Sequence, residues 1–510
     1  MDALPLNLPV LQMICPVNPA MPKRQFRAMW VASMANIDWP SRPGLDLETV
    51  QAEYRALLDL AVRFHHNAIV VQIRPSADTF WPSPYEPWSQ WLTGRSDGAS
   101  PGWDPLAFLI TESHARNLEF HAWFNPYRAS SPQFAGPDLA KLPPGHPLRR
   151  HPHWAVVYPL NAPGSALYYN PGIPAAREYV QKSILHALKN YDIDAVHLDD
   201  YFYPYPAAGQ NFPDDDTFHI YGAGFSDKQV WRRHNVNRFV QELSSAIKQH
   251  KPWVKFGISP FGVWRNRASD PLGSDTDAWM ESWYQLAADS RKWVKQGWLD
   301  YIAPQLYWNI GFPPADYEKL LSWWSDVVSA TPVHLYIGQA DYKTGTAPQP
   351  AWQDGAEIAR HLRLHQKYPV AGNVHFSAKD LRANRLDSSE HYARQYYSRP
   401  ALVPLMPHLP GTPPLPPVLG TVEYTDHGAK LYWAAADNRA TASQAVSYAV
   451  YRFDGSNIRP DSCQFADATH LLATTRSTTY TDSTAVQQQK YTYVVTALDR
   501  LHNESRPEGQ

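Results

Sequence analysis

Eight short apolar runs, each broken off by polar or aromatic residues and most followed by a longer stretch of helical pattern, constrain this 510-residue chain more than any other feature. The runs are Phe26–Ala32, Ala68–Ile73, Leu118–Phe124, Ile193–Leu198, Val254–Ser259, Leu299–Gln305, Val333–Gly338 and Ala371–Ser377. Near-continuous apolar runs suit parallel strands buried on both faces by crossover helices. The intervening segments supply such helices. From Glu48 to Phe64, residues Val50, Tyr54, Leu57, Leu58, Ala61 and Val62 fall on one face. Asp104-Pro105 is a helix start, and Pro174–Lys189 and Gln229–His250 continue the pattern. Eight strands alternating with helices predict an α/β protein with a (β/α)8 TIM barrel over residues 24–399.

Two loops are longer than a scaffold connection needs, Ala129–Asn170 and Pro206–Phe225, and loops of that length usually serve as lids or walls of a site. Residues 1–23 read as an N-terminal extension, and residues 400–417 as a proline-rich, semi-rigid spacer. Beyond it, Ala429–Trp433, Ser447–Arg452 and Tyr491–Ala497 alternate as short strands separated by turn residues. Residues 418–510 therefore predict a small all-β sandwich resembling a fibronectin type III module, with Trp433 and Tyr491 in its core.

A net charge of −2 gives no basic footprint for nucleic acid, and no apolar stretch is long enough to span a bilayer. The first twenty residues are interrupted by prolines and make a poor secretion signal. Cys15 and Cys463, the two cysteines, form no metal-spaced set and no disulfide framework, leaving a single bridge open. The aromatic content stands out: 20 Trp and 29 Tyr exceed what core filling explains, and those beside polar residues at strand ends suit ligand stacking.

Polar residues past the strand ends of a barrel converge on one mouth. Here that set is Asp38, Arg74, Asp78, Asn125, Tyr127, Asp199, Asp200, Tyr201, Ser259, Trp264, Arg265, Asn266, Gln305, Tyr307 and Trp308. His121 joins it from within the third strand, although a strand histidine is more often a satisfied core residue than a ligand. Carboxylates and amides for hydroxyl groups, with aromatic faces for C–H surfaces, describe a carbohydrate site. Glycoside cleavage commonly uses two carboxyls, a proton donor and a nucleophile or base. Crowding of Asp199 and Asp200 should raise one pKa, so Asp200 is assigned as the general acid. Side chains alternate along a strand, so the two acids are expected to point opposite ways, one toward the substrate. Glu281 is the first candidate for the second carboxylate, with Asp78 and Asp38 as rivals. The reading calls for no cofactor and no metal. Its rivals are a glycan-binding scaffold without catalysis and a metal-dependent deacetylase.

The motifs RAMWVASMANIDWP (Arg27–Pro40), HAWFNPYR (His121–Arg128), LDDYFYP (Leu198–Pro204), SPFGVWRN (Ser259–Asn266), PLGSD (Pro271–Asp275) and YIAPQLYW (Tyr301–Trp308) resemble the bacterial glycosyl-hydrolase-like 10 family over residues 24–395. The resemblance implies a barrel hydrolase of the cell envelope acting on a polysaccharide such as peptidoglycan glycan strands. It places Asp199 and Asp200 on the family's acidic pair, and Arg265, Asn266, Gln305 and Tyr307 on its site-lining motifs. The chain departs from the pattern at Asn170–Pro174, Tyr284–Ser290 and Gln339–Tyr342.

Overall fold

The computed structural model of the chain describes residues 15, 18–160, 163–436, 444–456, 462–486 and 488–509. Eight parallel strands close into a barrel: β1 (Phe26–Val31), β2 (Ala68–Arg74), β3 (Glu119–Phe124), β6 (Ala195–Leu198), β7 (Lys255–Ile258), β8 (Tyr301–Ile302), β9 (His334–Gln339) and β10 (Gly372–His375), with β10 pairing back onto β1. Each predicted run supplies one of them, which confirms the (β/α)8 fold. The long Ala129–Asn170 loop is not structureless: it carries an antiparallel hairpin, β4 (Ala155–Pro159) and β5 (Ser165–Tyr169).

Local signals start the helices as expected. The carboxylate of Asp46 accepts the Thr49 N–H at 2.8 Å to open helix Leu47–Arg63, and Asp104 accepts the Ala107 N–H at 3.1 Å ahead of Pro105. Helix Leu47–Arg63 buries Val50, Tyr54, Leu57, Leu58 and Ala61 against the strands, whereas Val62 is exposed. The main core lies between the strands and the helix ring, and a second one fills the barrel itself. Inside, the Tyr301 hydroxyl sits 3.0 Å from Nδ1 of both His121 and His197. Gly257 makes that position available, since a Cβ there would fall 2.0 Å from the Tyr301 ring.

Two four-stranded antiparallel sheets form the C-terminal region. One joins β11 (Val418–Leu419), β12 (Glu423–Thr425), β13 (Gly428–Ala434) and β16 (Thr479–Asp482). The other joins β14 (Ser447–Asp454), β15 (Leu471–Thr475), β17 (Tyr491–Leu498) and β18 (Glu508–Gly509). Trp433 is buried between them and Tyr491 packs at the margin of that core.

The proline-rich segment is not a free spacer. Ala401, Leu402, Val403, Met406 and Leu409 are buried, and the Gln25 N–H and Leu402 N–H donate to Leu402 O and Lys23 O at 2.9 and 2.8 Å. Val403, Met406, Leu409 and Leu501 belong to the same apolar cluster as Phe26, Tyr301 and Tyr336. A barrel whose interior is apolar at its base loses burial energy unless that end is covered, and this segment covers it. The module and the segment before it are anchored at the same end: Nε2 of His502 lies 2.8 Å from Glu119 and Lys23 pairs with Glu504 at 2.8 Å, while Nε2 of His408, in the proline-rich segment, lies 2.9 Å from Asp300. These partners sit at or just before the starts of strands, so the sandwich lies opposite the mouth. The N-terminal extension is tied to it as well, through a Cys15–Cys463 disulfide with a Cα–Cα distance of 5.0 Å.

Candidate active site

A cavity of about 210 Å³ opens at the carboxyl ends of the strands, lined by Trp30, Ala32, Met34, Ile37, Gln72, Trp123, Arg128, Asp199, Asp200, Tyr201, Ser259, Gln305, Tyr307, Tyr342 and Phe376. That is below the ~300–1,000 Å³ usual for ligand sites and suits a single sugar ring with its substituents. A larger recess of about 470 Å³ lies at the other end, between barrel and module. Its carboxylates are all engaged, Glu119 and Asp194 with Lys255, His121 and His114, Asp192 with Arg500, and Asp499 with the Leu501 N–H and Asn503, whereas at the mouth Oδ1 of Asp200 has no hydrogen-bond partner.

The two acids are held very differently. Both oxygens of Asp199 act as acceptors: Oδ1 takes the Asp200 N–H at 2.7 Å and Oδ2 takes Nδ2 of Asn125 at 3.1 Å, with Nε2 of Gln305 at 3.4 Å from Oδ1. Behind Asn125 runs an amide relay. Nε2 of Gln72 donates to Oδ1 of Asn125 at 2.5 Å, and Oε1 of Gln72 accepts the Ser33 and Met34 N–H groups at 3.0 and 2.8 Å. Nε2 of Gln305 also donates to Ser259 O at 2.9 Å. Strands β1, β2, β3, β6, β7 and the segment after β8 thus converge on one carboxylate.

Asp200 is 2 % exposed. Its Oδ2 accepts the Tyr205 hydroxyl, while Oδ1 is buried without a partner. Burial first, and the charge of Asp199 second, push its carboxyl well above the usual carboxylate range. Burial likewise pushes the Tyr205 hydroxyl well above the usual tyrosine range. Asp200 is therefore a carboxyl poised to keep a proton beside a carboxylate that accepts from three donors. The Tyr201 ring packs edge-on to Tyr205 with centroids 5.3 Å apart, and the Arg128 guanidinium lies 5.3 Å above the Tyr201 ring.

Six residues expected at the mouth are brought together there: Asp199, Asp200, Tyr201, Ser259, Gln305 and Tyr307. The expectation that Asp199 and Asp200 diverge does not hold, because β6 ends at Leu198 and strict alternation lapses beyond it. Asn125 stands one layer behind, and His121 lies deeper still, bonded to Tyr301 and Glu119.

The others do not line the cavity. Arg74 is spent internally: its guanidinium pairs with Glu86, both side chains fully buried, and donates to the Asn125 and Pro126 carbonyls. Asp38 ties the end of β1 to that of β10, accepting the Ala32 N–H, the Ser377 hydroxyl and the Lys379 N–H, and burial pushes it up to about 6. Asp78 accepts the Ser76 N–H in a separate recess beside Trp91 and His146. Glu281 is engaged by its own loop: it accepts the Asn266 N–H at 2.9 Å and lies 3.6 Å from Nε of Arg265. Arg265 in turn pairs with Asp270 at 2.6 Å, and Asn266 bonds to Ala278 and Thr276, so this cluster staples residues 265–281 together. Trp264 is buried with Nε1 on Asp289, Tyr127 is fully buried, and Trp308 packs edge-on to Phe261.

Trp30, Gln72, Trp123, Arg128, Tyr205, Tyr342 and Phe376 escaped the strand-end reading. Gln72 had a signal, a lone amide inside the apolar run Ala68–Ile73, where an amide needs several partners to be buried without loss. Arg128 closes the HAWFNPYR motif, and Tyr205 follows the acid pair within the same aromatic belt.

The family model described as Glycosyl hydrolase-like 10 matches residues 25–354. The chain is 48% identical over 489 residues to glycosyl hydrolase YngK of Bacillus subtilis (strain 168), covering 95% of this chain and 92% of that protein. It is 36% identical over 368 residues to glycosyl hydrolase DigH of Escherichia coli (strain K12), covering 69% and 82%. Among solved structures, the PgaB (BpsB) glycoside hydrolase domain from Bordetella bronchiseptica aligns at 13% identity with a TM-score of 0.48, covering 72% of this chain and 98% of that one.

Proposed function

The chain belongs to the glycosyl hydrolase-like 10 family, a glycosidase by that membership, and from this premise we propose that it cleaves amino-sugar glycan strands of an envelope polysaccharide such as peptidoglycan. The observation that carries the reading is Asp200. A carboxyl buried at the mouth of the barrel, with one oxygen unpartnered and its proton retained by burial and by Asp199, has the properties of the acid that protonates a leaving glycosidic oxygen. Asp199, oriented by Asn125 and Gln305, is the second functional carboxylate in this reading, in place of Glu281. Trp30, Trp123, Tyr307 and Tyr342 offer faces for the sugar, and Arg128 a cation for an acidic substituent. An exported setting is supported by the Cys15–Cys463 disulfide, since such bonds persist in oxidising compartments.

The test is mass spectrometry of products released from intact and peptide-stripped peptidoglycan by the wild type and by Asp200→Asn. Saccharide release by the wild type alone is expected. No release from either substrate, or equal release by the variant, would overturn the proposal.

A further inference from the structure

We propose that the nucleophile of this site is the substrate's own 2-acetamido group, and that Asp199 is the catalytic residue that orients it; the inference rests on the amino-sugar reading above.

A protein nucleophile or base must face the anomeric carbon from the side opposite the acid, with carboxyl groups ~5–5.5 Å or ~6.5–9.5 Å apart. Among the described residues lining the cavity, Asp199 and Asp200 are the only acids, and they are chain neighbours just past the end of β6. Glu281, Asp38 and Asp78 are each engaged elsewhere by hydrogen bonds from their own surroundings. Two adjacent carboxyls match instead two adjacent substrate positions: the glycosidic oxygen on C1 and the amide on C2.

The hydrogen bonding assigns the roles. An ionised carboxylate offers about four acceptor positions, and the Asp200 N–H, Asn125 and the longer Gln305 contact occupy three on Asp199. The fourth faces the Asp200 carboxyl, which hydrogen-bonds to Asp199 until it gives up its proton, and is then open to an amide N–H. The amide relay through Gln72 fixes this carboxylate in place, as orientation of a substrate group requires. Trp30, Trp123 and Phe376 supply apolar surface for the acetyl methyl.

In the first half-reaction Asp200 gives its proton to the glycosidic oxygen and the C1–O bond breaks. The acetamido carbonyl oxygen bonds to C1, and Asp199 takes up the amide proton, leaving a neutral oxazoline. In the second half water bonds to C1 and gives a proton to the Asp200 carboxylate. The C1–O bond of the ring intermediate breaks, and the proton on Asp199 returns to nitrogen. Only water is consumed, and a β-linkage gives a β-product.

The experiment uses the wild-type chain on peptide-stripped glycan strands, on the same strands chemically N-deacetylated, and with a thiazoline analogue of N-acetylglucosamine as inhibitor. Deacetylated strands should be cut about 10²-fold or more slowly, because the intramolecular nucleophile is gone. The first anomer seen by NMR should be β, and the thiazoline should compete with substrate. Asp199→Ala should weaken thiazoline binding at least tenfold, whereas Glu281→Gln should not. An α-product, equal cleavage of deacetylated strands, or no competition by the thiazoline would overturn the inference while leaving glycosidase activity standing. No cleavage of any strand would instead overturn the functional reading, and this inference with it.

Discussion

Replacing Asp200 by Asn should make the protein less active and more stable at once, by an amount that depends on pH. The carboxyl is 2 % exposed, with one oxygen unpartnered, and its pKa is raised by burial and by Asp199. The folded state therefore keeps this proton to a higher pH than the unfolded chain, in which an Asp titrates near ~3.9. Below that value both states carry the proton and the group contributes its full stability. As pH climbs toward the folded pKa the contribution is lost, at up to about 1.4 kcal/mol per pH unit. Asn cannot ionise and escapes that loss. The stability gap in favour of Asp200→Asn should thus widen as pH rises above the unfolded value, until the folded carboxyl itself ionises. Glycan cleavage should fall about 10²–10⁴-fold, the usual worth of a general acid. Urea unfolding at several pH values, beside product release from peptide-stripped strands, reads both quantities. A gap that stays flat with pH would refute the buried, proton-retaining carboxyl. Undiminished cleavage would refute its catalytic role.

Arg74→Ala should cost about 3–5 kcal/mol in urea unfolding, because it leaves Glu86 buried with Ser183 as its remaining side-chain donor. Arg74→Met combined with Glu86→Leu should regain much of this, and a single variant of near-native stability with a raised KM would instead make Arg74 a sugar ligand. Glu281→Gln should keep cleavage within about tenfold of wild type, a barrier change of ~1.4 kcal/mol, since its carboxylate serves the 265–281 loop. A thousandfold loss would return Glu281 to the chemistry.

The barrel was legible because its signals are local. A buried strand announces itself by a continuous apolar run and a helix by period and cap, and Asp46, Asp104 and the eight runs all act within a few residues of themselves. The address of the acid pair, at the end of the fourth barrel strand, followed from strand order alone. The crowding that raises the Asp200 pKa was also implicit in two adjacent acids.

What lies beyond the strand ends was decided by tertiary structure. Arg74, Asp78, Arg265 and Glu281 had the right chemistry at the right positions in the chain. Each is engaged by its own loop or by the end of the next strand, and a buried or half-buried charge so engaged is no longer available to a substrate. The proline-rich segment read as a spacer from composition, yet the open base of an apolar barrel gave Val403 and Met406 somewhere to be buried. Likewise Gln72, silent within an apolar strand, became the second link from Asp199 only when three strands stood side by side. Sequence by itself determined the barrel and the location of its acids, because period and order are properties of the chain. Which side chains line the cavity was settled by the paths the loops take and by contacts between strands, such as Gln72–Asn125–Asp199, and no local pattern encodes those.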